Sequence, residues 1–141
     1  IADFQPSPYF TPSFLKSNEP IIGQRAYAML PMRELYDAGA RVTLSSDWDV
    51  NALSPLGIMQ NALSLGERGL PNLEAAIKAY TLDAAYTLRQ EQETGSLEVG
   101  KQADLLVLEQ NIFDLPVKQI GKVKVLWTLL GGKETWRDKD F

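Results

Sequence analysis

Few side chains in this sequence are equipped for chemistry. The first to stand out is Asp47, which closes the run Arg41-Val42-Thr43-Leu44-Ser45-Ser46 and is followed by Trp48 and Asp49. A carboxylate at a strand end can hold a cation or carry a proton, and it can equally turn the chain or cap a short helix. Trp48 offers a large apolar face that either lines a pocket mouth or packs into the core. Asp49 reads as solvent-exposed. Arg25 can orient a carbonyl or carboxylate through paired hydrogen bonds, or it can form a surface ion pair. Gly95, Gly100 and Lys101 lack the glycine spacing and following helix of a phosphate loop and read as turn residues.

What is missing narrows the chemistry further. The 141 residues contain no cysteine, which removes disulfides, thiolate zinc sites and cysteine nucleophiles together. They also contain no histidine, the commonest metal ligand and the usual general base near neutral pH. A catalytic zinc site therefore needs ligands from elsewhere. The net charge of −4 and a pI near 4.8, with acids and bases intermixed, leave no basic stripe for a nucleic acid or an anionic membrane. Small molecules or protein are the expected partners.

The elements that must position these residues follow from local pattern. With 45% hydrophobic residues the chain can bury a core. Ile1 to Gln5 reads as a short strand stopped by Pro6-Ser7-Pro8. Tyr9 to Gln24, with Pro12 and Pro20, reads as a long functional loop or as a loop with a short helix inside. Pro31 suits a first helical turn, so Met32 to Asp37 is expected to be helical and to end at Gly39, before a strand over Arg41 to Ser46. Pro55 opens a further helix through Leu65, ended by Gly66. Asn72 and Thr81 would cap two helices lying end to end, each cap contributing roughly 1 kcal/mol. After Thr94-Gly95 the texture becomes extended: a glycine-punctuated turn over Ser96 to Lys101, strands over Ala103 to Leu108 and Lys122 to Leu130, and a Gly131-Gly132 hairpin. No apolar run approaches the roughly 20 residues of a membrane span. The opening Ile1, inside a strand-like stretch with no leader before it, reads as an internal cut.

Four stretches in order resemble the amidohydrolase superfamily: Ala2 to Pro6, Asp37 to Trp48, Ala79 to Ala85 and Gly95 to Leu108. They are most similar to the branch holding N-substituted formamide deformylase and exoenzyme regulatory proteins. The resemblance implies an α/β fold, the C-terminal part of a (β/α)8 barrel over residues 1–94 followed by the returning half of a small β-sandwich over residues 95–141. It implies that Asp47 is the acid after the last barrel strand, ligating a metal, taking a proton from the attacking water and returning it to the leaving nitrogen. The metal-binding histidines and bridging residue would lie upstream of Ile1. Trp48 and Arg25 become substrate-binding candidates, Arg25 because relatives tend to carry an arginine in that loop. Asp49 departs from the proline that this branch more often shows there.

The implied activity is metal-dependent hydrolysis of non-peptide carbon-nitrogen bonds, such as amides or formamides, with zinc or another divalent metal in the full-length parent. The isolated chain is expected to be inert and to hold no metal tightly. Exposed barrel edges would favour a homo-oligomer. A regulatory or protein-interaction module is the alternative from a different class. Localisation is left open, with the cytoplasm as the default.

Overall fold

In the computed structural model, which describes residues 1–10 and 12–141, the first half of the chain is organised by alternation along two short strands. Strand β1, Ala2–Phe4, pairs in parallel with β2, Val42–Leu44, in the register Ala2 to Val42, Asp3 to Thr43 and Phe4 to Leu44. Because side chains alternate, Phe4, Val42 and Leu44 share one face. Helices cover that face. Parallel strands cannot be joined by a tight turn, and residues 5–41 make the crossover, which includes α1 (Pro12–Ile22), a 3-10 segment (Gly23–Ala28) and α2 (Met32–Asp37).

The covering is completed by α3 (Pro55–Ser64) and by α4 (Leu73–Tyr80), which runs almost directly into α5 (Leu82–Thr87). Phe4, Val42 and Leu44 pack with Met32, with Ile58, Met59 and Ala62 of α3, and with Ala75, Ala76 and Ala79 of α4. The alanines let α4 lie close to the sheet. Burying each large apolar side chain here contributes roughly 1.5–3 kcal/mol. Ser54 caps α3 by accepting from Gly57 N at 3.2 Å, and Asn72 caps α4 by accepting from Ala75 N at 2.9 Å.

The second half is a three-stranded antiparallel sheet, β3 (Leu105–Leu108), β4 (Val125–Leu130) and β5 (Lys133–Arg137), in that order. Gly131 and Gly132 both hold positive φ, at 55° and 75°, as the two-residue hairpin turn that matches strand twist requires. A one-turn helix, α6 (Val117–Ile120), docks this half on the first. Gly121 N donates to Gln60 Oε1 at 3.0 Å, and a Cβ on Gly121 would meet the Gly57 Cα at 3.1 Å, so the two glycines permit the contact.

Several expectations are corrected by tertiary context. Tyr9 to Gln24 is mostly helical, with Pro20 tolerated in the last turn of α1 before the chain tightens into the 3-10 segment; Thr11 lies outside the described residues. As expected, Gly66 closes α3: the last helical residue is Ser64, Leu65 caps it, and Gly66 at φ +63° takes the left-handed position that turns the chain out of the helix and into a 3-10 turn. Thr81 makes no capping bond: its hydroxyl donates back to Ile77 O at 2.8 Å, closing α4 rather than opening α5. The strands expected from Ala103 and Lys122 begin at Leu105 and Val125, because Ala103 and Asp104 receive the hairpin's amides and residues 122–123 complete the turn after α6. The run from Ser96 to Lys101 carries no strand, and the Lys101 ammonium is tied to Ser96 Oγ at 2.6 Å and to Glu98 at 3.3 Å, which fits a turn. Helix α6 itself is too short for a periodic signal.

Candidate active site

The sheet's second face is polar. Thr43 Oγ1 and Ser45 Oγ donate to the two oxygens of Asp3, at 2.8 and 2.7 Å, and Gln5 Nε2 donates to Ser45 Oγ at 2.9 Å and to Asp3 at 2.5 Å. Asp3 and Thr43 lie on the strands, and Gln5 and Ser45 stand two residues further along, just past the strand ends, so alternation brings all four to the face opposite the apolar core. The sequence predicts the two strands, over Ile1 to Gln5 and Arg41 to Ser46, without their pairing. The spacing of Asp3 and Gln5 was the signal that could have found the cluster. Burial first and the charge of Asp3 second hold the Tyr80 hydroxyl above its usual range.

Beyond the C-terminal end of β2 the ladder makes one last bond, Ser45 N to Phe4 O at 3.0 Å, and the chain turns. Asp47 takes φ +52°, a left-handed conformation that aspartate tolerates better than most residues, and its carbonyl accepts from Val50 N at 2.7 Å. Its side chain is exposed, with no hydrogen bond or ion pair among the described residues. Trp48 is 69% exposed, which sets aside core packing within this chain, and Asp49 is exposed as expected. Arg25 lies exposed on the 3-10 segment, its Nε donating to Ile22 O at 3.3 Å, and no ion pair joins it to Asp47 among the described residues. The turn thus brings Asp47 and Trp48 together on one loop, and no contact links Arg25 to them.

Asn51, which sequence reading passed over, closes the turn. It is nine-tenths buried, and its Nδ2 donates to Ser46 O at 2.8 Å. On the loop after β1, Asn61 of α3 does the parallel job, donating to Pro6 O at 3.0 Å. A cavity of about 290 Å³ opens between the two loops and α3, with Tyr9, Val50, Asn51, Asn61 and Lys122 among its walls; Asp47 is not one of them.

Among the described residues one acid, Asp83, is buried. Asp83 receives Arg41 Nη1 at 2.8 Å, with Lys78 Nζ at 3.8 Å, and the Arg41 guanidinium lies 3.8 Å from the Tyr86 ring centre. Arg41 stands at the opposite end of β2 from Asp47, and this paired, stacked cluster stabilises structure. Among the described residues no group of three or more His, Cys, Asp or Glu side chains could hold a metal ion, and no helix is long and apolar enough to cross a membrane.

An α/β unit of parallel strands backed by helices, with a free carboxylate on the loop past a strand's C-terminal end, belongs to the class of α/β enzymes that build their sites on such loops. Residues 1–135 match the amidohydrolase family, and the chain belongs to it. It is 32% identical over 117 residues to N-substituted formamide deformylase of Arthrobacter pascens, an alignment covering 77% of this chain and 22% of that protein. It is 38% identical over 91 residues to a probable imidazolonepropionase of Danio rerio, covering 63% of this chain and 20% of that one. Among solved structures, an amidohydrolase from Thermotoga maritima superposes with a TM-score of 0.64 at 27% identity, over 77% of this chain and 26% of that one. An adenosine deaminase from Xanthomonas campestris with bound zinc gives 0.64 at 22% identity, over 76% and 28%, a likeness of fold. The chain therefore spans 20% to 28% of the length of these relatives. Their names are enzyme names and lend nothing to a regulatory reading.

Proposed function

We propose that this chain supplies the C-terminal segment of a metal-dependent hydrolase acting on non-peptide carbon-nitrogen bonds, such as amides or formamides, with Asp47 as its acid-base residue. Residues 1–94 then contribute the last strands and helices of a (β/α)8 barrel, and residues 95–141 half of a small β-sandwich. The observation carrying the reading is the exposed carboxylate of Asp47, unpaired among the described residues, just past a buried parallel strand in a chain of the amidohydrolase family. The names of the relatives, a formamide deformylase and an imidazolonepropionase, support the bond class.

A divalent metal fits this chain only as a shared ligand: Asp47 offers one oxygen donor, and no described group of metal-binding side chains stands beside it. Zinc is the candidate, since the Xanthomonas deaminase structure holds it. When bound, such an ion polarises the scissile carbonyl and acidifies the attacking water. The protein's own part is proton transfer. A carboxylate oxygen of Asp47 accepts a proton from the water as it attacks, and the same oxygen returns it to the leaving nitrogen as the carbon-nitrogen bond breaks. Trp48 lies beside it as an apolar face for the substrate's substituent. Arg25 orients a substrate carbonyl or carboxylate. Alone, the 141-residue chain is inert.

The test is Asp47→Asn in the full-length protein, assayed on small amides and formamides with zinc supplied. Loss of the metal-dependent rate by about 100-fold or more is expected, the lower bound for a lost acid-base group. Full activity in the variant would remove Asp47 from the mechanism.

A further inference from the structure

Asn51 presents an energetic puzzle. Its Nδ2 donates to the Ser46 carbonyl at 2.8 Å, yet its Oδ1 is buried with no hydrogen-bond partner among the described residues. A buried amide oxygen left unpaired costs about as much as the hydrogen bond on the other atom returns. The carboxamide therefore adds little net stability. Asn61, one helix away, is not marked by such an orphan: it binds Pro6 O, and no unpaired buried atom is found on it. A local rule broken in this way is expected where function, not stability, holds a residue in place.

The position of Asn51 says what that function is. Its bond to Ser46 O closes a ring over residues 46–51, and inside that ring Val50 N holds Asp47 O at 2.7 Å. Asp47 itself stands at φ +52°, outside the broad wells available to L-residues, so its backbone needs such closure to stay there. The direction of the Cα to Cβ bond of Asp47 follows from that backbone. We propose that Asn51 is a positioning residue, whose amide, anchored on Ser46, fixes the direction in which Asp47 presents its carboxylate. The proposal rests on the acid-base reading of Asp47 given above. It adds a residue that touches no reacting atom and acts through the turn.

The experiment compares Asn51→Leu, Asn51→Ser, Asn72→Ala and Asp47→Asn in the full-length enzyme, measuring kcat, KM and the thermal midpoint of each. Asn51→Leu should lower kcat about tenfold, as misplacing a reacting group does, with KM within about twofold and a midpoint within about 2 °C of the parent. Asn51→Ser, which keeps a short donor, should recover part of kcat. Asn72→Ala, which removes the cap of α4, should lower the midpoint and leave kcat per folded molecule unchanged. If Asn51→Leu keeps full kcat while Asp47→Asn abolishes it, the positioning role is overturned and the acid-base reading stands. If Asn51→Leu loses activity only in step with its midpoint, as a structural residue would, the proposal is equally overturned. Should Asp47→Asn itself stay active, the underlying reading of Asp47 falls first.

Discussion

Two aspartates of this chain should answer the same substitution in opposite ways. Asp83 is buried, its side chain 8% exposed, and it meets an Arg41 side chain that is 38% exposed. Breaking a fully buried pair costs about 3–5 kcal/mol, and an exposed one about 0–1. Asn at position 83 keeps a hydrogen-bond acceptor but loses the charge, and the partly exposed guanidinium can recover water. About 2 kcal/mol is the expected loss for Asp83→Asn, between those limits. For a domain of 141 residues this lowers the melting temperature by roughly 6–8 °C and the urea midpoint by about 1 M. Asp47 is exposed and has no partner among the described residues, and Asn accepts a left-handed backbone at least as readily, so Asp47→Asn should change stability by less than about 0.5 kcal/mol. Urea unfolding of the 141-residue chain, followed by tryptophan fluorescence and circular dichroism, reads both. A loss above about 1 kcal/mol for Asp47→Asn would give that residue a structural task and undo the contrast. A neutral Asp83→Asn would show that the Arg41 cluster holds nothing together.

Glycine substitutions give a second matched comparison: at Gly95, φ +85°, a Cβ would stand 2.7 Å from the Ala85 Cβ, whereas at Gly23, φ +65°, it would meet nothing within 4 Å. Gly95→Ala should cost about 3 kcal/mol and Gly23→Ala about 1 kcal/mol in urea unfolding, and equal losses would refute the steric argument. Because Tyr80 holds its proton more tightly in the folded state, its contribution is complete below the ordinary tyrosine value of 10.0 and is lost as pH rises through the raised value. Alkaline unfolding should therefore move to higher pH in Tyr80→Phe, and ultraviolet titration of Asp3→Asn should show one tyrosine ionising earlier than in the parent. The two-stranded parallel sheet pairs only β1 with β2, leaving both outer edges without strand partners among the described residues, so the isolated chain should self-associate. A clean monomer at high concentration in analytical ultracentrifugation would count against an adhesive edge.

Where a signal was local, the sequence carried it. Proline and glycine placed the ends of α2, the apolar stripe marked α3, Asn72 announced its cap, and Gly131-Gly132 announced the hairpin, since each depends on neighbours within about one turn. The same locality fell short at Tyr9 to Gln24, where two prolines suggested a loop, or a loop with a short helix inside, and the tertiary packing of Leu15, 4% exposed, accompanies a helix of 11 residues. Thr81 illustrates the limit at a single side chain: its type suits a cap, but the chain bends there and its hydroxyl finds Ile77 O first.

The sequence by itself determined the types of most elements, though not α1 or α6, together with the lack of imidazole and thiol ligands and the candidacy of Asp47 at a strand end. Only the tertiary structure decided that Asp3 meets Thr43 and Ser45 across some 40 residues, that Arg41 is spent on Asp83, and that Asn51 closes the turn of Asp47 on Ser46. Periodicity and capping are properties of a few adjacent residues, so they can be read along a string. Which polar group ends beside which is fixed by the strand register and the crossover that carries one strand back beside the other, and no short window contains both partners.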